Sequence, residues 1–198
     1  MKLFKLVVAT AGATVLLGAL VGSASARSFS ITSQFFRSTF RSLEFNGLFP
    51  MTCQVTLEGS LHARTIAKVL GRLIGYITSA VLGPCQTGTA TILRETLPWH
   101  VRYLSFSGTL PNITLLRVNV IGYSFRIKEP GGITCLARST PERPAIGNFN
   151  RDTATRALTT ATIGGTIPTT CGAEGEFTSD NGTVTSLNST TRITVTLI

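Results

Sequence analysis

The sequence is short of the residue types that carry most enzymatic and metal chemistry. Its 198 residues include two histidines, His62 and His100, one tryptophan and nine acidic side chains. A general base needs a partner to orient it and a nucleophile within reach. No G-x-S-x-G elbow supplies that nucleophile. No catalytic residue is therefore assigned, and each histidine reads as a strand-surface or rim residue. Glycosidase chemistry needs two carboxylates facing one cleft. Glu174 and Glu176 are the only closely alternating acids; at i and i+2 on a strand they share one face, ordinarily a solvent face. This inventory suits neither a metal site nor a cofactor site, so none is assigned.

Lysine is also scarce. Beyond Lys2 and Lys5 only Lys68 and Lys128 occur, and most of the positive charge comes from arginine. The formal net charge is +9, or +7 without Lys2 and Lys5. The arginines stand singly, with no run and no aromatic interleaving, which argues against nucleic acid as a partner. Weak attraction to an anionic envelope is as far as this charge goes. C-x-x-C spacing is missing as well. Cys53, Cys85, Cys135 and Cys171 lie far apart, which excludes a thioredoxin-type motif and disfavours a zinc ribbon. In an oxidising compartment they read as two disulfides. Three pairings are possible. Cys53–Cys85 with Cys135–Cys171 is favoured, because each bridge then closes a local loop of a few strands.

There is one long hydrophobic run. Lys2 and Lys5 precede an apolar stretch from Leu6 to Val21, followed by Ser23-Ala24-Ser25-Ala26. A charged start, an apolar core and a small-x-small ending form a cleavable secretory signal over residues 1–26. A core of roughly 16 residues falls short of the ~20 that span a bilayer as a helix. Arg27 then begins a single mature domain, 27–198, with no transmembrane helix. Three N-x-[ST] sequons, at Asn112, Asn181 and Asn188, matter only in a eukaryotic secretory pathway.

What remains is rich in Thr, Ser, Val, Ile and Gly, a strand composition. Residues 53–58, 117–127 and 191–197 alternate apolar and polar side chains, so each buries one face. Residues 27–45, with five phenylalanines, form an opening strand or an arm that docks later. Turn signals recur about every ten residues, as in a β-sandwich or small barrel. Among them, Asn181-Gly182 suits a two-residue hairpin, and Pro141 to Arg156 reads as a long surface loop. Ile66, Leu70, Leu73 and Ile74 recur at helical spacing, which predicts a short helix near 64–73 followed by a strand over 74–82. The fold class is thus all-β: an antiparallel β-sandwich or small β-barrel of roughly 8–10 strands. Trp99, just after Pro98, suits a core plug. Trp99 and Tyr103 are also the candidate aromatic wall of a ligand site.

Cys53-Gln54-Val55-Thr56-Leu57-Glu58-Gly59, Ile77-Thr78-Ser79-Ala80 before Cys85, Leu97-Pro98-Trp99 and Thr170-Cys171-Gly172 together form a pattern. It resembles the small exported bacterial proteins of the alkane-oxidation activator family and related secreted proteins of unknown role. The resemblance spans residues 50–198, with a longer insertion here between Asn112 and Gly165. It implies a secreted or surface-exposed β-protein linked to the use of hydrophobic substrates, and it brings no catalytic residues.

These readings converge on an exported, non-enzymatic β-protein, released or held at the cell envelope. It would bind an apolar small molecule, an envelope component or a protein partner. A secreted hydrolase with a minimal Ser/His site is the alternative. An eight-stranded outer-membrane barrel fits the size, but the paired cysteines, few girdle aromatics and proline interruptions argue against it.

Overall fold

The computed structural model describes residues 28–46, 50–172 and 174–198. The signal assigned to 1–26 and the mature start at Arg27 lie outside the described residues. In chain order the strands are β1 (Ser28–Ile31), β2 (Phe35–Asn46), β3 (Met51–Leu61), β4 (Thr65–Ala67) and β5 (Leu73–Cys85). Next come β6 (Thr89–Ile92), β7 (Trp99–Thr109), β8 (Asn112–Ile121), β9 (Ser124–Lys128) and β10 (Thr134–Arg138). The last are β11 (Ala145–Arg151), β12 (Leu158–Ile167), β13 (Gly175–Ser179), β14 (Thr183–Ser186) and β15 (Val195–Leu197).

Eight of these follow one another around a closed antiparallel barrel in the order β2-β3-β5-β7-β8-β11-β12-β13. Closure comes from β13, which pairs with β12 on one side and with β2 on the other. The all-β class therefore resolves into an up-and-down barrel. β14 continues β13 along β2 in the same register, from Ser179↔Leu43 to Thr183↔Thr39. Asn181-Gly182 is accordingly a break inside one strand, not a hairpin. Gly182 is needed because a Cβ there would stand 2.5 Å from the Phe40 ring.

Alternation builds the interior. Phe36, Ser38 and Phe40 point inward from β2, and a bulge between Phe40 and Leu43 resets the phase so that Leu43 and Phe45 also face in. Val55 and Leu57, Val101, Val118 and Val120, and Ile163 complete the filling. A void of about 30 Å³ lies within the barrel, beside Ser38. Arg37, Arg41, Glu44, Gln54 and Arg117 lie on the exposed outer face. Apolar inside and charged outside is the reverse of a transmembrane barrel, whose lipid-facing band is apolar. No helix of the described residues is long and apolar enough to cross a membrane.

Each barrel end is covered by a three-stranded sheet. At the end where β2 begins, the sheet is β15-β1-β4, and Phe29 of β1 packs on the rings of Tyr103 and Phe106. At the other end it is β10-β9-β6, and Phe125 of β9 packs on Phe45 and Trp99. Arg151 is buried at the first end. Its Nε donates to the Val195 carbonyl at 2.8 Å and its Nη1 to the Ile113 carbonyl at 2.7 Å, which ties β15 to the barrel. The cysteines pair as the favoured connectivity has it, Cys53 with Cys85 across β3 and β5, and Cys135 with Cys171.

Other expectations need correcting. Residues 64–73 form no helix; the described residues hold one helical turn, the 3-10 segment Arg94–Thr96. Ile66 is buried because β4 pairs it with Phe29, whereas Leu70 is 71% exposed, so their spacing marks no common face. The strand expected at 74–82 is present as part of β5. The stretch from Pro141 to Arg156 is not one long loop, since β11 lies inside it and presents Ala145 and Gly147 to the interior. The long alternation over 117–127 is two strands, β8 and β9, divided at Gly122, whose φ is +90°.

Ser38 and Arg151 offer two tests of this packing. The Ser38 Oγ is buried without a hydrogen-bond partner beside the small void. Ser38→Val fills that space and removes an unmet hydroxyl, for a gain of about 1 kcal/mol, read as a thermal midpoint higher by about 3 °C. Arg151→Leu leaves two buried carbonyls without donors and costs about 2–3 kcal/mol in a urea titration. Amide exchange in β15 should quicken in that variant before it does elsewhere.

Candidate functional site

Under the second end sheet lies a space with mainly apolar walls. In β9, Ser124 and Phe125 are buried and Ile127 is half-buried, while Arg126 and Lys128 are exposed; Glu129, the next residue in this alternation, is again buried, at 7% exposure. A tight turn holds Glu129 in place. Its N–H donates to the Ile133 carbonyl at 2.9 Å, and its carbonyl accepts from Gly132 N–H at 2.9 Å. Gly132 sits at φ +84°, a left-handed conformation that favours glycine. The chain then returns as β10, paired with β9 from Thr134↔Lys128 to Arg138↔Ser124.

The segment after β12 lies against β10. Leu136 N–H donates to Thr170 Oγ1 and Thr170 N–H to the Leu136 carbonyl, both at 2.9 Å, and Arg138 N–H donates to the Pro168 carbonyl at 3.1 Å. The Cys135–Cys171 bridge fixes the same two segments covalently. Between this braced wall and strands β2 and β13 lies a cavity of about 240 Å³. Phe45, Phe177, Ile127 and Ile167 give it apolar sides, and the disulfide and Ala137 close it. Phe177 stacks on Tyr123 with ring centroids 5.1 Å apart.

Three of the nine acidic side chains, Glu129, Glu174 and Glu176, line this one cavity of a strongly basic chain. Glu174 is ion-paired with Arg143. Oε2 of Glu129 is buried and has no hydrogen-bond partner. Such an oxygen is costly to bury unless something meets it. Chemically the arrangement can hold a compact apolar group with a donor or positive charge at one end.

The residues singled out from sequence fall elsewhere. Trp99 is fully buried and plugs the barrel end, its Nε1 donating to Thr96 Oγ1 at 2.8 Å and its ring lying edge-on to Tyr123. Tyr103 is buried against Phe29 at the opposite end, and desolvation raises its pKa above the ordinary phenol value. Neither lines the cavity. His62 and His100 flank the Tyr76 ring, at centroid distances of 5.0 and 5.4 Å. Both histidines are exposed, and neither imidazole is hydrogen-bonded to a serine among the described residues. Glu174 and Glu176, expected on a solvent face, are exposed but contribute to the cavity rim. Sequence reasoning passes over Glu129, whose only signal is the inward phase of the alternation through Phe125 and Ile127. Comparison with known families, curated proteins and solved structures returned no match.

Tyr123 supplies a test of the packing beneath the cavity. Burial pushes its phenol well above the ordinary range, and its hydroxyl has no partner. Tyr123→Phe should therefore leave stability unchanged or raise it by about 1 kcal/mol. Tyr123→Ala should lower it by about 3–5 kcal/mol, as a large cavity opens between Trp99, Phe125 and Phe177. Calorimetry of the two variants checks both.

Proposed function

We propose that this chain is an exported binding protein of the cell envelope that takes a small, largely apolar ligand in the cavity beside Cys135–Cys171. One observation carries the reading. Within the barrel a void of about 30 Å³ is found, whereas about 240 Å³ stands open under the end sheet between aromatic and aliphatic walls. Close packing is the norm in protein interiors. Larger spaces of about 340 and 300 Å³ lie at the opposite end but have more polar walls. It is the mainly apolar lining of this one that supports an apolar ligand. A cavity of about 150 Å³ holds a benzene-sized guest, so this one suits a single ring with a short chain. The resemblance to the alkane-oxidation activator family, with its hydrophobic substrates, points the same way. The two disulfides are compatible with an oxidising compartment, and the basic surface with an anionic envelope.

The test is an amide chemical-shift titration of the mature chain with n-propylbenzene. Saturable shifts are expected at Ile127, Cys135, Ile167 and Phe177. Ala137→Met places a longer side chain in the cavity and should weaken binding by about tenfold or more, with the fold unchanged by circular dichroism. Shifts spread over the whole surface, or binding unaffected by Ala137→Met, would overturn the reading.

A further inference from the structure

We infer that the cavity selects hydrophobic cations: a small aryl or alkyl amine whose ammonium group is received by Glu129. This deepens the reading above and rests on it. The starting point is the unpartnered Oε2 of Glu129, on a residue 7% exposed. A buried carboxylate is normally paired with a cation or held by several donors. The ion pairs of the described residues are Arg37–Glu58 on the outer barrel and Arg143–Glu174. Neither involves Glu129. Its chain neighbour Lys128 is exposed in the alternation of β9 and faces away.

The turn fixes the backbone from which the acid projects. Both backbone polar groups of Glu129 are committed to Ile133 and Gly132, and Pro130 follows directly. Charge around the site is also unbalanced. Glu174 has Arg143 as its partner, whereas among the described residues neither Glu129 nor Glu176 forms an ion pair. A neutral hydrocarbon would fill the space and leave the Glu129 carboxylate without a counter-charge. An anionic amphiphile would bring a second negative charge to it. An ammonium group in the cavity would pair with the carboxylate of Glu129, a residue of the lining, as a charge-assisted contact.

The experiment uses three probes of matched size on the mature chain at pH 7: 2-phenylethylamine, n-propylbenzene and phenylacetate, each titrated calorimetrically and by amide shifts. The amine should bind about tenfold or more tightly than propylbenzene, and phenylacetate more weakly than both. Glu129→Gln should bring the amine down to the level of propylbenzene while propylbenzene stays within about twofold of its original affinity. If propylbenzene binds as well as the amine, the cation selectivity is wrong and the apolar-ligand reading stands. An amine preference that persists in Glu129→Gln places the anchor elsewhere and overturns the inference. If none of the three binds, the ligand reading itself fails and this inference falls with it. The wild-type series decides between charge and shape even if Glu129→Gln does not fold.

Discussion

The structure depends on one pairing, the seam between β13 and β2. Every other strand pairing of the barrel joins neighbours in chain order, some with a short strand or two between them. The seam alone joins the first barrel strand to the last, Leu43 to Ser179 and Asn46 to Glu176. Without it the same strands would make an open sheet with two unpaired edges, each a template for association with another chain. With it, the inward faces enclose one core and the outward faces can remain polar. β14 extends the seam in constant register, so the strand break at Asn181-Gly182 leaves the alignment with β2 intact.

Closure leaves the two ends to be covered, and the chain solves this twice by the same device. Segments outside the barrel strands pair among themselves, β6, β9 and β10 at one end and β1, β4 and β15 at the other. Both covers leave space beside them, and the spaces differ in character, mainly apolar beside β9 and β10 and more polar beside β1 and β4. At the β1 end, Phe29 and the Arg151 hydrogen bonds hold the sheet against the barrel. At the other, Phe125 and Tyr123 pack closely on Trp99, but the outer part of the sheet stands away from Phe45 and Phe177. The Cys135–Cys171 bridge lies in the wall of this cavity and ties β10 to the segment after β12.

Sequence alternation makes the all-β class, the buried phases of β3, β8 and β15 and the cysteine pairing legible. It does not decide between sandwich and barrel, because period two reports which face is buried and not what closes the sheet. β11 escapes notice because its inward residues are Ala145 and Gly147, small enough to read as loop. Ile66 and Leu70 give helical spacing by coincidence, one buried by pairing and the other exposed. Glu129 is obscured for a different reason. A Lys-Glu-Pro-Gly-Gly run reads as a solvated turn, and the burial of its acid is imposed by segments far along the chain, after β12. The solvent-face reading of Glu174 and Glu176 is incomplete on the same grounds. Their surroundings are set by tertiary packing and not by their i, i+2 spacing.

Closure is also an event in time. A chain that emerges amino end first presents β2 early, yet the partner for its free edge lies in residues 175–186. Until those residues arrive, β2 pairs with β3 alone, and Phe36, Phe40 and Phe45 have only part of their eventual surroundings. Sealing is therefore among the last steps of folding, and contacts so distant in sequence form slowly. For most of its emergence the molecule is a growing ribbon with one sticky margin, and it becomes a sealed body only when nearly the whole chain is present.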